Sequence, residues 1–240
     1  MLKKELLVAA LAASFAAPAL AEETSPFSAN VSIASNYLYR GISQTGNKPA
    51  LQGGFDYAHE SGLYVGVWGS SISWLSDFGT ANNAGTELDT YLGYSGAAGD
   101  ISYDVGFLRY NYPGDYGANL SANTNELYGS VGYKWVTAKY SRSSGNLFGA
   151  ADSSGSGYLD LSASYDLEDA GISLGAHYGK QTIANSPASD YTDYNFSVSK
   201  DIGGYGFSAT YSKTNLDNLV DPQGNDLGKG ALVLAISRSM

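Results

Sequence analysis

The chain has 240 residues with 13 basic and 23 acidic side chains, so its formal net charge is −10 at neutral pH. This balance argues against a nucleic-acid partner, which would need clustered Lys and Arg, and a sequence without cysteine excludes disulfides and thiolate metal sites. Glycine (30 residues) and tyrosine (20 residues) are abundant, and this aromatic content indicates a folded chain rather than a disordered one.

The first segment has the pattern of a secretory signal. A basic start precedes an apolar stretch over 6–15, and Ala19-Leu20-Ala21 forms a small-residue cleavage pattern. We therefore expect residues 1–21 to be a signal peptide and residues 22–240 to form the exported domain. No later segment approaches about 20 consecutive apolar residues, so the sequence predicts no membrane-spanning helix.

After this segment, apolar side chains recur at every second position, which is the period of a β-strand. In the first strand, predicted over 27–42, Val31 and Ile33 lie on one face and Ser32 lies on the other. In chain order, the other predicted strands cover about 50–58, 62–72, 86–95, 101–111, 124–133, 136–140, 157–166, 172–178, 193–199, 207–212 and 232–236. The sequence thus predicts twelve strands.

The connections between these strands alternate between short and long. Those after the second, fourth, sixth, eighth and tenth strands are tight turns. The connections near 72–85, 112–123, 143–156, 180–190 and 213–228 are long and rich in Gly, Ser, Asn and Asp. A barrel of the bacterial outer membrane has short periplasmic turns and longer outer loops, while the Greek-key connections of a sandwich would break the alternation. We therefore predict an all-β fold, a closed up-and-down antiparallel transmembrane β-barrel with both termini in the periplasm.

Tyrosines recur near the predicted strand ends. In barrels of this kind such rings form girdles, with the ring in lipid and the hydroxyl among the headgroups. The candidates are Tyr37, Tyr39, Tyr57, Tyr94, Tyr133, Tyr140, Tyr165, Tyr178 and Tyr211. The alternative is that tyrosine is simply a good strand former.

Three segments of the sequence resemble a known family. They are 36–44 (NYLYRGISQ), 49–57 (PALQGGFDY) and 62–70 (GLYVGVWGS), and they are similar to the TorF-like family of outer-membrane porins of Gram-negative bacteria. The resemblance covers essentially the exported chain and implies a porin. Its partners would be outer-membrane lipid, lipopolysaccharide and the barrel assembly machinery. Met240 is a departure, since such chains usually finish on an aromatic residue.

The strand period also assigns side chains to the interior of the barrel, where carboxylates outnumber cations. The predicted pore-lining residues are Arg40, Asp56, Glu87, Asp89, Asp104, Glu126, Lys139, Asp160, His177 and Asp193. An acidic lining concentrates cations and repels anions, and twelve strands fall between filled barrels of about eight and open porins of about 16–18. We predict a narrow channel for small solutes or ions with a modest cation preference. The alternative is that these polar groups pair with one another and plug the lumen.

Arg40 stands out among these residues because its long side chain could reach over the lumen from the outer end of the first strand. Alternatively, it could pair with Asp56 at the rim of the barrel, since Arg suits either role.

Other functions have weaker support in the sequence. Catalysis is not predicted, because His59 lies in a turn, His177 faces the lumen, and no nucleophile elbow has a plausible context. The last long loop carries oxygen ligands that could bind Ca²⁺, namely Asp217, Asp221, Asn225 and Asp226. Their spacing does not follow an EF-hand, so neither a metal nor a cofactor is predicted. The competing hypotheses are a non-conducting structural or adhesive barrel and a lipid-modifying enzyme.

Overall fold

Strands make up most of the described chain, which comprises residues 25–117, 121–216 and 218–240 of a computed structural model. The strands are β1 (Phe27–Ala34), β2 (Leu38–Tyr39), β3 (Ile42–Ser43), β4 (Ala50–Ala58), β5 (Leu63–Ser71), β6 (Ala81–Asn82), β7 (Thr86–Ala98), β8 (Ile101–Asn111), β9 (Asp115–Tyr116), β10 (Thr124–Tyr133), β11 (Val136–Ser143), β12 (Gly157–Leu167), β13 (Ile172–Thr182), β14 (Tyr191–Ile202), β15 (Tyr205–Thr214) and β16 (Ala231–Ser239). Helical structure comprises α1 (Trp74–Asp77) and 3₁₀ turns at Leu147–Gly149, Glu168–Ala170 and Pro187–Ser189. Within these ranges no helix has the length and apolar character needed to cross a membrane. The predicted signal peptide lies outside the described residues.

The long strands close into one antiparallel barrel of twelve strands. Their order around the barrel is β1, β16, β15, β14, β13, β12, β11, β10, β8, β7, β5 and β4, and β4 pairs with β1 again. Each long strand therefore lies beside the next long strand of the chain, which is up-and-down connectivity. The short strands pair within the loops, β2 with β3 and β6 with β9. The predicted closed twelve-stranded barrel is confirmed.

The alternating sequence explains which face of each strand points outward. In β7, Leu88 and Leu92 are exposed, while Glu87, Asp89 and Tyr91 are buried toward the lumen. The outer wall carries many exposed apolar side chains, among them Val31, Ile33, Leu51, Phe55, Val65, Val105, Leu127, Val131, Leu161, Phe196, Leu232 and Leu234. Closure of the sheet also leaves no unpaired edge. An apolar exterior and a fully paired backbone are the two features that a barrel needs in lipid.

The two ends of the barrel differ. At one, which we call the turn end, tight turns follow β4, β7, β10, β12 and β14, and Met240 N–H donates to the Ala29 carbonyl at 2.8 Å, so both ends of the described chain meet there. At the other, the loop end, the long connections come together. The alternation of short and long connections is as the sequence predicted.

The first strand is shorter than predicted. β1 ends at Ala34 and not near residue 42, and residues 35–49, which we call loop 1, turn into the barrel. Arg40 and Gly41 have φ angles of +47° and +79°, in the left-handed region, so the strand cannot continue through them. The Asn36 side chain accepts hydrogen bonds from hydroxyl groups farther along loop 1, which folds the loop back on itself.

This difference moves two tyrosines of the predicted girdle. Tyr37 and Tyr39 lie inside the barrel, and Tyr37 is only 4% exposed, so their assignment to lipid is wrong. The other candidates point outward: Tyr94, Tyr133, Tyr140, Tyr165, Tyr178 and Tyr211 are exposed, and Tyr57 packs on Phe27 on the outer wall. The strand alternation thus predicts the outward and inward faces of the barrel strands, but it does not hold for residues in loop 1.

Candidate functional site in the barrel lumen

Loop 1 crosses the lumen near the loop end and carries Arg40 to the opposite wall. The Arg40 guanidinium donates through Nη2 to both carboxylate oxygens of Glu126, at 3.0 and 2.8 Å, and through Nη1 to Oε1 of Gln181 at 2.7 Å. Its planar group lies over the ring of Tyr158 at 4.1 Å and that of Tyr39 at 4.8 Å. Glu126 and Gln181 are each 2% exposed. The ion pair is therefore shielded from water, and salt screens such a pair weakly.

The tip of loop 1 rests directly on the barrel wall. A β-carbon built at Gly41 would lie 2.7 Å from Cβ of Asp193, so only glycine fits at this contact. After the tip, Ser43 N–H donates to the Leu227 carbonyl at 2.9 Å. Before the tip, the Tyr37 hydroxyl donates to Glu87 at 2.8 Å. Loop 1 is thus held by contacts on several sides of the lumen.

A polar network surrounds the tip of loop 1. His177 lies 3.2 Å from Oδ2 of Asp160 through Nδ1 and 2.9 Å from Oδ1 of Asp193 through Nε2. The Tyr158 hydroxyl donates to Asp193 at 2.9 Å. These contacts fix the Tyr158 ring, which is one face of the Arg40 site.

Two carboxyls, Glu87 and Asp89, point into the lumen from β7 and are each 1% exposed. Glu87 accepts from Tyr37, whereas Oδ1 of Asp89 has no hydrogen-bond partner among the described residues. Burial of such groups is costly unless they are paired or neutral. Among the described residues, Nε1 of Trp74 is the other buried side-chain polar atom without a hydrogen-bond partner.

Aromatic rings close the space above loop 1 at the loop end. Phe148, from the loop after β11, packs edge-on against Tyr39, Tyr110 and Tyr112, with ring centroids 5.3–6.1 Å apart. Leu75 of α1 is completely buried below them as part of the same cluster. The loop end of the lumen is therefore packed with side chains from the long loops.

The half of the lumen toward the turn end is more open to water. Here Tyr91 donates to Asp56 through a short hydrogen bond, and Tyr64 donates to Asp104 at 2.7 Å. Lys139 lies 3.9 Å from the centroid of the Tyr128 ring. Asp56, Asp104, Lys139 and the neighbouring Asp160 are all only half-buried. This vestibule, as we call it, thus presents partly exposed carboxylates beside buried tyrosines.

The predicted pore-lining residues can now be placed. All ten face the interior: Asp56, Asp104, Lys139 and Asp160 in the vestibule, and Arg40, Glu87, Asp89, Glu126, His177 and Asp193 around loop 1. Whether they line a conducting pore stays a prediction. The suggested pair of Arg40 with Asp56 is wrong, because Arg40 pairs with Glu126 and Asp56 accepts from Tyr91. The reason is that Arg40 belongs to loop 1 and lies beyond the end of β1.

Some residues of the site were not singled out in the sequence. Gln181, Tyr158, Tyr91 and Tyr128 face the lumen in the same phase as the carboxylates, so the strand period could have included them. In the last loop, the carboxylate of Asp221 accepts hydrogen bonds from the backbone N–H groups of residues 223 and 225. The oxygens considered for Ca²⁺ therefore serve a turn, and Asp217 lies outside the described residues.

The fold and the site together define a porin-like β-barrel: a closed sheet with an apolar exterior and a polar interior. The chain belongs to the family described as "Bacterial protein of unknown function (Gcw_chp)", which matches residues 19–240. No curated protein matches the chain.

Solved porins share the architecture. The KdgM porin superposes with a TM-score of 0.54 at 7% identity, over 88% of this chain and 97% of that chain. The KdgM porin in complex with disordered oligogalacturonate gives 0.54 at 7% identity, over 89% and 98%. At such low identity the likeness shows the fold alone. The TorF-like family name stays a prediction.

Proposed function

We propose that this protein is a narrow, cation-preferring channel for small solutes or ions in the bacterial outer membrane. The observation that carries the proposal is the vestibule, where the carboxylates of Asp56 and Asp104 are partly exposed to solvent. Lys139 is a neighbouring cation, and Asp160 lies beside His177. In a narrow low-dielectric space an excess of negative charge attracts cations and repels anions. The apolar exterior and closed sheet support a position in lipid.

The orientation belongs to the same proposal. The turn end, with both chain ends, would face the periplasm, and the long loops would face outward among lipopolysaccharide. The barrel assembly machinery would insert the chain. The oligogalacturonate of the KdgM complex is acidic, and the carboxylates of this lumen disfavour such a ligand, so we do not extend that substrate to this chain.

Transport through this conformation requires loop 1 to move. At the level of Arg40 the lumen is filled by buried side chains, so we propose that loop 1 is a gate and the vestibule is the selective part. The buried side chains that fill the lumen at the level of Arg40 also favour a second candidate function. This is a non-conducting barrel that serves the envelope through its outer loops. The two functions differ in what happens when loop 1 is removed.

Planar-bilayer recordings of refolded protein test the proposal. A variant in which residues 36–48 are replaced by a short Gly-Ser linker should conduct, with a reversal potential in a KCl gradient that indicates cation preference. Asp56→Asn with Asp104→Asn should move that potential toward zero. The matched control, Asp100→Asn with Asp169→Asn, removes the same charge from exposed turns and should leave the potential nearly unchanged. Because the Phe148 ring packs on Tyr110 above loop 1, the deletion is also combined with Phe148→Ala. A folded barrel of this combined variant without conductance would support the non-conducting function, and anion preference would refute the selectivity.

A further inference from the structure

The surroundings of Arg40 have the features of a recognition site for a guanidinium group. Both oxygens of Glu126 accept from Nη2, Gln181 accepts from Nη1, and two aromatic rings lie over the planar group. A planar guanidinium fits such a combination of carboxylate, amide and π-face better than a compact ammonium does. The site is therefore selective by geometry as well as by charge.

Most of this site belongs to the barrel wall and not to loop 1. Glu126, Tyr158 and Gln181 project from β10, β12 and β13, and only Tyr39 comes from the loop. Gln181 also donates to the Gly157 carbonyl at 3.0 Å, which orients its amide oxygen toward the guanidinium. Because barrel strands and their hydrogen bonds fix these side chains, the wall would keep the shape of the site without Arg40 in it.

The occupant, in contrast, is held in a strained backbone conformation. Arg40 has a φ of +47°, which is uncommon for a residue with a side chain and is maintained only where surrounding contacts impose it. The side-chain contacts of Arg40 with the wall are among those contacts. The conformation of the tip of loop 1 thus depends in part on an occupied guanidinium site.

We propose that this wall is a binding site for guanidinium-bearing solutes and that Arg40 is its tethered occupant. A free guanidinium solute competes with Arg40 for Glu126, Gln181 and Tyr158, and its binding releases the tip of loop 1. The inference deepens the proposed channel function, on which the release step rests, by naming a class of solute that opens it. Ligand binding to the wall itself does not require conduction.

The test measures binding and conduction separately. Arg40→Gly empties the site and suits the positive φ, and heat-modifiable migration on gels verifies that the barrel is folded. Calorimetric titration of this variant in detergent with methylguanidinium should show binding about tenfold tighter than with methylammonium. Adding Glu126→Gln should weaken methylguanidinium binding by about tenfold, since a neutral acceptor replaces a charged one. The wild-type protein, whose own arginine competes at a high effective concentration, should bind at least about tenfold more weakly.

Several results would overturn the proposal. Equal binding of methylguanidinium and methylammonium would leave a general cation site, and no effect of Glu126→Gln would place any binding elsewhere. No binding to folded Arg40→Gly would refute the site outright. If that variant does not fold, Arg40→Ser is titrated in its place, with the same outcomes. A protein that binds methylguanidinium but never conducts retains the site and refutes the channel, so the two failures are distinguishable.

Discussion

A substitution at Gly41 should displace loop 1 without replacing a charged residue. An alanine there takes a φ near +79°, which costs about 1–2 kcal/mol for a residue with a β-carbon. That β-carbon would also lie 2.7 Å from Cβ of Asp193, and overpacking of this kind costs about 1–3 kcal/mol. Together, Gly41→Ala should raise the free energy of the closed loop by about 2–5 kcal/mol. The ratio of closed to open loop would then fall by about 30- to 5000-fold.

The assay combines single-channel recording with limited proteolysis of loop 1 in the refolded barrel. Gly99→Ala is the matched control, because Gly99 also has a positive φ, +64°, but has no atom within 4 Å of an added β-carbon. We expect more open time and faster cleavage of loop 1 for Gly41→Ala, and wild-type behaviour at this loop for Gly99→Ala. A Gly41→Ala protein with wild-type conductance and cleavage would refute the reasoning that close packing at the tip holds the loop closed.

Two further predictions concern the barrel wall and the last loop. Gly66→Ala should lower the free energy of unfolding in urea by about 1–3 kcal/mol, because its β-carbon would collide with the Tyr91 ring. The control, Gly129→Ala, would make only ordinary van der Waals contacts and should change stability little. An equal loss of stability in both variants would contradict this prediction. Desolvation of the Asp221 carboxyl group acts to raise its pKa. Hydrogen bonds from Asn225 and from the residue 223 N–H outweigh that effect, so the pKa is lowered. This carboxylate therefore stabilises its turn above the ordinary Asp pKa of about 4, and the stabilisation is lost as pH falls through the lower folded value. The protection factor of the Asn225 amide, which is its intrinsic exchange rate divided by the observed rate at the same pH, should fall in strong acid relative to about pH 5, and Asp221→Asn should abolish that pH dependence of the protection factor.

The barrel could be predicted because the alternation of apolar and polar residues in each strand indicates which face points outward. In β7, alternation of Leu88 and Leu92 with Glu87 and Asp89 fixes the outward and inward faces, and closure follows from the need to pair every edge in lipid. The same period placed Glu126 inside the barrel. Local sequence was sufficient wherever the residue belongs to a regular strand.

Loop 1 could not be predicted in this way. Tyr37 and Tyr39 continue the alternation of the preceding strand, so the local pattern indicates a longer strand over that segment. Tertiary contacts override this pattern. Arg40 pairs with Glu126, which lies 86 residues farther along the chain, and Tyr37 donates to Glu87. A period of two contains no information about such partners, since propensity yields to context when distant groups supply better contacts.

The wall and loop 1 therefore contribute to different properties of the protein. The strands are held by ladders of backbone hydrogen bonds that run through the whole sheet, whereas the position of loop 1 depends on a small number of polar contacts. A buried ion pair such as Arg40 with Glu126 adds little net stability, because desolvation offsets much of the attraction, but loss of one partner costs about 3–5 kcal/mol. That cost applies while the remaining charged group stays buried, so opening of loop 1, which would let water reach the group, relieves it. The cost therefore acts on the closed conformation of loop 1 more than on the barrel strands. Substitutions at Arg40 or Glu126 should for this reason change gating far more than the midpoint of global unfolding.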